Sequence, residues 1–233
     1  MQLFKQLTYS ISQLIYPRLC EGCKRPLLVA ESTLCMHCLP ELPRTGYHSI
    51  KDNESAMRFA GRIPYVHATS LAYFTDDGLL QHLLHGLKYH NKKESGVFLG
   101  KQLAYELLQT DWIKNIDLII PVPLHPKKER ERGYNQSKLI ADGMAYVLNI
   151  PVIDTVLQRF RYTESQTKKS RQERVANMKD AFTISDPNIL INKHVMIIDD
   201  ILTTGATLEA CTNAILDISC VEVSIATIGI AID

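Results

Sequence analysis

The chain has 233 residues, a length that accommodates one large α/β domain with a small additional module. Its formal net charge of +1 excludes the strong overall field of many nucleic-acid- and membrane-binding proteins, although basic residues concentrate in residues 127–138 and 159–179. No apolar run reaches the length of a membrane span, and polar residues interrupt the N-terminal stretch where a signal peptide needs an apolar core. We therefore expect a cytoplasmic protein with local anion-binding sites and no membrane contact.

The first 38 residues combine a short amphipathic segment with four cysteines. Apolar residues between positions 3 and 15 would form one face of a helix that packs on the rest of the protein. Two Cys-x-x-Cys pairs follow, and their spacing suits one tetrahedral Zn²⁺ held by four thiolates. Disulfides are disfavoured in the cytoplasm, and a redox pair would need only one Cys-x-x-Cys. We predict a structural zinc site with no open coordination position, formed by Cys20, Cys23, Cys35 and Cys38.

The remaining sequence alternates strand-like and helix-like patterns. Prolines and glycines with little periodicity predict a linker over residues 39–62, and we divide the chain into domains 1–50 and 51–233. Strand patterns cover residues 66–74, 117–122, 150–157, 195–198 and 221–230, and helical patterns cover 79–87, 97–108, 139–148 and 206–218. This alternation predicts a parallel α/β sheet.

Residues 195–207 contain the pattern with the clearest chemistry. Four apolar residues predict a strand buried on both faces, and Asp199 and Asp200 stand where that strand should end. The turn that follows offers hydroxyls, backbone N–H groups and a helix N-terminus, which suit a phosphate dianion; its residues are Thr203, Thr204, Gly205, Ala206 and Thr207. The acid pair could accept hydrogen bonds from sugar hydroxyls or face Mg²⁺. An ordinary helix cap would need only one acid, so the pattern favours a sugar phosphate site.

Two basic segments could provide a second anion site. Lys127, Lys128, Arg130 and Arg132 follow the strand at 117–122, and Gly133 permits close approach of the backbone. Glu129 and Glu131 alternate with the arginines, so a solvated charged loop is the alternative. Residues 163–178 are polar and basic, and three interpretations stay open: a lid over a bound diphosphate, an exposed helix, or a nucleic-acid contact.

Together these motifs resemble the ComF/GntX family, the competence protein F group of the type I phosphoribosyltransferase superfamily. The resemblance rests on the four cysteines and on residues 87–89, 121–123, 130–136, 163–177 and 197–207, of which 130–136 is the most family-specific. It implies a type I phosphoribosyltransferase fold, a parallel sheet flanked by helices, with a small N-terminal zinc-ribbon-like domain. It also implies a role in handling incoming single-stranded DNA in competent bacteria.

The resemblance further implies binding of 5-phosphoribosyl-1-pyrophosphate (PRPP) together with Mg²⁺. In that arrangement Asp199 and Asp200 are the catalytic pair that holds the ribose hydroxyls, and residues 203–207 hold the 5-phosphate. The residues expected at the pyrophosphate are Lys88, Pro123, Leu124, Arg130, Arg132, Gly133, Asn135 and Gln136. The residues expected in the lid are Gln166, Arg171, Arg174 and Asn177.

Two functions are compatible with these patterns. The first is a Mg²⁺-dependent phosphoribosyltransferase, for which no residue identifies the acceptor. The second is a non-catalytic module that retains the PRPP fold and binds single-stranded DNA or DNA-processing partners.

Overall fold

A computed structural model describes residues 17–160 and 181–232 of the chain. The strands are β1 (Ala68–Phe74), β2 (Leu118–Pro121), β3 (Leu157–Arg159), β4 (Phe182–Ile184), β5 (His194–Leu202) and β6 (Glu222–Ala231). The helices are α1 (Glu54–Met57), α2 (Leu79–Tyr89), α3 (Lys93–Leu107), α4 (Pro126–Arg132), α5 (Gln136–Leu148) and α6 (Ala206–Leu216), with 3₁₀ turns at Tyr47–Ser49, Trp112–Asn115 and Pro187–Ile189. No helix in these two ranges is long and apolar enough to cross a membrane.

A parallel four-stranded sheet in the order β1-β6-β5-β2 forms the centre of the fold. The apolar residues of β5 are buried because helices cover one face of the sheet, and helix α6 together with other segments of the chain covers the opposite face. Helices α2, α3 and α5 contribute to the first core cluster, whereas α6 and the β3–β4 hairpin contribute to the second. The predicted parallel α/β sheet is confirmed.

Strand β5 is longer than its apolar run. Its ladder with β6 continues through Asp199, opposite Thr227, to Leu202, opposite Ile230. The ladder with β2 ends earlier, at the pair formed by Pro121 and Ile198. The prediction that the strand stops before the acid pair was therefore wrong. The two carboxylates stand on a continuing strand, beside the gap left where β2 ends.

Two other local predictions differ from the structure. The strand predicted over residues 150–157 is replaced by a single bridge between Val152 and Ile119, and the antiparallel β3–β4 ladder begins only at Leu157. Pro151 contributes to this difference because it has no N–H for a ladder. The charged segment after β2 was predicted as a loop but forms helix α4, which Pro126 starts and Gly133 ends with a φ of 81°.

The stretch predicted as a linker, residues 39–62, packs against the sheet. Arg44 forms a bridge with Ala72 of β1, and the N–H of Thr45 donates to the carbonyl of Leu71 at 3.0 Å. The side chain of Asn53 caps α1 and donates to the carbonyl of Ala68 at 2.8 Å. This stretch therefore forms part of one face of the fold, and the domain boundary near residue 50 stays a prediction.

Helices α3 and α5 cross at very short range because each contributes a glycine. A Cβ atom added to Gly100 would overlap the carbonyl of Ile140, and one added to Gly143 would overlap the carbonyl of Val97. The crossing fixes α5, whose first turn reaches the carboxyl edge of the sheet.

We expect the substitution Gly100→Ala to lower the free energy of unfolding by about 1–3 kcal/mol, because the added methyl group forces the two helices apart. Denaturant unfolding of the variant and the wild type measures the change. Tyr105→Ala is the matched control, since Tyr105 lies exposed on the same helix. Equal stability of G100A and the wild type would contradict the close crossing.

Candidate functional site

The acid pair on β5 is held by side chains from two other parts of the chain and by one backbone N–H of β5 itself. The Oδ1 atom of Asp199 accepts hydrogen bonds from the hydroxyl of Ser137 and from the N–H of Asp200, both at 2.9 Å. The Oδ2 atom of Asp200 lies 2.6 Å from the ammonium nitrogen of Lys88, and both side chains are mostly buried. The site therefore joins β5 to the first turn of α5 and to the last turn of α2.

The two carboxylates are electrostatically unequal. Burial, and secondarily the charge of Asp200, raises the pKa of Asp199 to about 7. The N–H of Asp200, the hydroxyl of Ser137 and the ammonium group of Lys88 act in the opposite direction. A ligand that donates hydrogen bonds, or a hard divalent cation such as Mg²⁺, would stabilise the ionised form of Asp199. The carboxylate oxygens present here can therefore accept hydrogen bonds from the predicted sugar hydroxyls, and they are also suitable ligands for Mg²⁺.

The turn after β5 forms a small concave site next to Asp199. Gly205 has a φ of 76° and is the N-cap of α6, so the chain turns sharply into the helix. A cavity of about 40 Å³ lies within the turn and is lined by Asp199, Ile201 and residues 203–208. Every residue predicted for the 5-phosphate lies at this cavity, where the helix N-terminus favours an anion.

Residues 58–62 pack behind this turn, although no sequence motif predicts a role for them. The ring of Phe59 contacts Gly205 so closely that an added Cβ would lie 2.8 Å from its Cε1 atom. The guanidinium group of Arg62 donates to the carbonyl of Thr204 at 2.9 Å. No local pattern marks either residue, because the surrounding stretch has the composition of a linker. Ser137 was missed for a similar reason, although it directly follows the recognised run 130–136.

The residues predicted for the pyrophosphate are spread over two environments. Pro123, Leu124 and Asn135 line a cavity of about 360 Å³ with Glu129, Tyr134, Lys138, Leu139 and Asp154. Asn135 caps α5 by accepting from the N–H of Ser137 at 3.0 Å, and it donates to the carbonyl of Val122 at 2.9 Å. Gln136, the next residue, is 3% exposed.

The cationic residues of this set belong to α2 and α4. Lys88 pairs with Asp200, and the guanidinium group of Arg132 lies 5.8 Å from the centre of the Tyr89 ring. Arg130 is exposed and donates to the carbonyl of Pro126 at 3.3 Å. Burial and then the charges of Arg159 and Arg132 lower the pKa of Lys128. Positive charge is thus crowded around Lys128 of α4, and this charge extends to Lys88, which pairs with Asp200.

Helix α2 connects the acid pair to the four cysteines. At its C-terminal end, the carbonyl of Leu87 accepts a hydrogen bond from the hydroxyl of Tyr134. At its other end, the side chain of Leu79 lies against Gly22 between the first two cysteines. Glu21 forms an ion pair with Lys92, just beyond the end of the helix. The cysteine segment therefore supports the helix that carries Lys88.

The four cysteine side chains converge, with all Sγ atoms within 4.8 Å of one another. The Sγ atoms of Cys23 and Cys35 are 3.6 Å apart, close to the roughly 3.8 Å that tetrahedral Zn–S bonds of about 2.3 Å require. The sulfur of Cys23 also accepts a hydrogen bond from the Arg25 side chain at 3.3 Å. Hydrogen bonds from the backbone N–H and then the side chain of Arg25 lower the pKa of Cys23 to about 6, which favours the thiolate. The donor set fits one structural Zn²⁺.

Two predicted elements lie outside the described residues. They are the amphipathic N-terminal segment over residues 3–15 and the proposed lid, which contains Gln166, Arg171, Arg174 and Asn177.

The part of the chain that contains the acid pair matches a known protein family. Residues 135–229, which include the acid pair and the turn after β5, match the family "Phosphoribosyl transferase domain". Among solved structures, adenine phosphoribosyltransferase from Leishmania tarentolae is similar at a TM-score of 0.40, with 15% identity over 68% of this chain and 89% of that chain. The match over residues 135–229 agrees with the phosphoribosyltransferase fold predicted from the sequence.

Two curated relatives match the chain over most of its length. Competence protein F of Haemophilus influenzae is 26% identical over 89% of this chain and 88% of the relative. DNA utilization protein YhgH of Salmonella typhimurium is 27% identical over 87% of this chain and 92% of the relative. The chain is thus similar to proteins of the competence protein F group over most of its length, and the predicted resemblance is confirmed.

We expect Asp199→Asn to stabilise the protein increasingly as pH rises. The pKa of Asp199 is higher in the folded chain than in the unfolded chain, so folding retains a proton and stability falls between about pH 4 and pH 7. The asparagine variant has no ionisable group at this position, so its stability does not fall over this pH range for this reason. Its Tm should equal that of the wild type near pH 4 and exceed it by at least about 3 °C at pH 8.

Asp117→Asn is the matched control with the opposite sign. The N–H of His194 lowers the pKa of Asp117, so its carboxylate contributes stability that is lost as pH falls. D117N should therefore be destabilised at pH 8, and the difference should shrink towards pH 3. Parallel pH profiles of D199N and the wild type would contradict the raised pKa of Asp199.

We expect the purified protein to contain about one zinc per chain when it is protected from oxidation, because four thiolates complete a tetrahedral site. Cys35→Ser should lower both the zinc content and the Tm. Cys220→Ser is the control, since Cys220 is exposed and lies outside the cluster. Elemental analysis and thermal unfolding give the two readouts. A zinc content well below one per chain in the wild type would count against the site.

Proposed function

We propose that this chain binds PRPP with Mg²⁺ and transfers its phosphoribosyl group to an acceptor. The observation that carries the proposal is that Asp199 and the Gly205 turn line one cavity, with Asp200 adjacent on the same strand, beside the gap where β2 ends. In parallel α/β sheets, ligands bind outside the carboxyl ends of the strands. The match to the phosphoribosyltransferase family over residues 135–229 supports the same ligand class.

Each part of the site has a role in this proposal. The turn at residues 203–207 and the N-terminus of α6 bind the 5-phosphate. Asp199 and Asp200 accept hydrogen bonds from the ribose hydroxyls. The ligand then replaces Lys88 as the partner of Asp200, which frees the ammonium group for the pyrophosphate. Mg²⁺, when bound with PRPP, supplies positive charge to the pyrophosphate.

The reaction needs charge stabilisation rather than a general base at the sugar. The bond from the ribose C1 to the pyrophosphate oxygen breaks, and its electron pair leaves with the pyrophosphate while the acceptor bonds to C1. The cations of α2 and α4 stabilise the leaving group, and the carboxylates stabilise the electron-deficient ribosyl centre. The acceptor's identity is open, because no residue of the acid pair or of the phosphate turn selects it.

A non-catalytic role in DNA handling is the second candidate, and the names of the relatives favour it. On this chain Lys127 and Arg130 are exposed on α4 and could contact a phosphate backbone. Single-stranded DNA affinity that fell steeply with salt would support this role.

Calorimetric titration of PRPP in the presence of Mg²⁺ tests the main proposal. We expect the wild type to bind and the double variant D199N/D200N to bind at least about tenfold more weakly, because it loses charged acceptors for the ribose hydroxyls. The control is D117N, which removes a carboxylate at the amino ends of β2 and β5, at the opposite end of the strands from the acid pair. Absence of binding by the wild type would overturn the assignment of the ligand.

Pyrophosphate release with a panel of nucleobases and amines separates the two candidates. Release with one acceptor supports a transferase. Binding of PRPP without release across the panel, combined with salt-sensitive DNA binding, favours the non-catalytic module.

A further inference from the structure

We propose that Arg62 is a positioning residue for the phosphate turn, because it holds the Thr204–Gly205 peptide with its N–H group directed towards the cavity. The inference rests on the proposed function, since it concerns how the same turn binds the 5-phosphate. Neither the sequence motifs nor the match over residues 135–229 assigns a role to this arginine.

The guanidinium group of Arg62 binds three acceptors that belong to different segments. Its Nη1 atom donates to the carbonyl of Thr204 at 2.9 Å and to the carbonyl of Arg58 at 2.7 Å. Its Nη2 atom pairs with the carboxylate of Glu209 on α6. The side chain is 23% exposed, so these contacts are only partly screened by water. The planar guanidinium group reaches these acceptors from two separate nitrogen atoms, whereas the ammonium group of a lysine would have to donate to all of them from one atom on a flexible side chain.

The hydrogen bond to the carbonyl of Thr204 also fixes the direction of the N–H group of Gly205. In a trans peptide the C=O of one residue and the N–H of the next point in opposite directions. Because the carbonyl of Thr204 is bound to Arg62, the N–H of Gly205 points away from Arg62. Gly205 lines the cavity proposed for the 5-phosphate. The hydrogen bond to Arg62 thus presents an N–H group to the anion.

Gly205 makes this restraint necessary. Its φ of 76° is accessible to glycine without steric cost, and glycine also tolerates the conformations that accompany rotation of the preceding peptide. Rotation would direct the carbonyl oxygen of Thr204 at the phosphate and repel it. Phe59 packs against Gly205 from the same segment as Arg62, so residues 58–62 restrain the turn from behind.

The charge of Glu209 offers a second way in which Arg62 could affect phosphate binding, and the test must distinguish it from the restraint of the peptide. Its carboxylate lies in the first turn of α6, where it would weaken the attraction of the helix N-terminus for an anion. Arg62 neutralises this charge. Loss of Arg62 could therefore weaken phosphate binding in two ways: the Thr204–Gly205 peptide could rotate, or the unpaired carboxylate of Glu209 could repel the phosphate.

The test compares two probes for the two ends of PRPP: ribose 5-phosphate alone, and inorganic pyrophosphate with Mg²⁺. Arg62→Lys keeps the positive charge next to Glu209 but loses the fork. We expect R62K to bind ribose 5-phosphate at least about tenfold more weakly than the wild type. Its affinity for magnesium pyrophosphate should change less than twofold, because α2 and α4 are unaltered.

Arg44→Lys is the matched control. Arg44 also uses its fork, at 2.5 Å from Glu106 and 2.7 Å from Gln102, but away from the phosphate turn. R44K should bind both probes as the wild type does. Arg62→Met and the double variant R62M/E209Q complete the set, and thermal unfolding of each variant identifies a general loss of folding.

The outcomes separate the role of Arg62 from the proposed function. Unchanged affinity of R62K for ribose 5-phosphate, or an equal loss for both probes, would overturn the positioning role. Full recovery of affinity in R62M/E209Q would assign the loss to the exposed carboxylate and would also overturn it. If the wild type bound neither probe, the proposed function itself would fail. A selective loss in R62K, without full recovery in the double variant, supports the peptide restraint.

Discussion

Two adjacent carboxylates on a buried parallel strand impose the main constraint on this structure. Asp199 and Asp200 repel each other, and burial raises the cost of ionising Asp199. Their hydrogen-bond and ionic partners include the hydroxyl of Ser137, the N–H of Asp200 and the ammonium group of Lys88. Because the side-chain donors come from α5 and α2, both helices must end or begin at the carboxyl edge of the sheet.

The rest of the scaffold holds those two helices in place. Helix α5 is fixed by its crossing with α3, which is close enough to require Gly100 and Gly143. Helix α2 is supported at one end by the cysteine segment and contacts Tyr134 at the other. Cys20 and Cys35 belong to the same core cluster as Leu80 and Leu83 of α2. A zinc ion at the cysteines would therefore stabilise a region continuous with the helix that carries Lys88.

The phosphate turn is supported from the opposite side by a stretch without regular patterning. Residues 44–63 pack on β1 and deliver Phe59 and Arg62 to the turn that follows β5. The two sides of the site thus come from different layers of the fold. One layer carries the donors for the acid pair, and the other restrains the backbone that surrounds the phosphate cavity.

The sequence by itself determined the elements whose signals are local. A run of apolar residues predicted β5, the cysteine spacing predicted the cluster of four cysteines, and Asp199 with residues 203–207 predicted a binding site where the structure has a cavity. The tertiary structure alone decided where β2 stops beside β5 and that Asp199 continues the ladder. It also decided the partners of the site, since Arg62 and Thr204 are 142 residues apart and Ser137 and Asp199 are 62 apart. Such contacts depend on how the helices and loops pack against the sheet. A segment that supplies one side chain to a distant site need not show any hydrophobic periodicity, so its sequence does not reveal the contact.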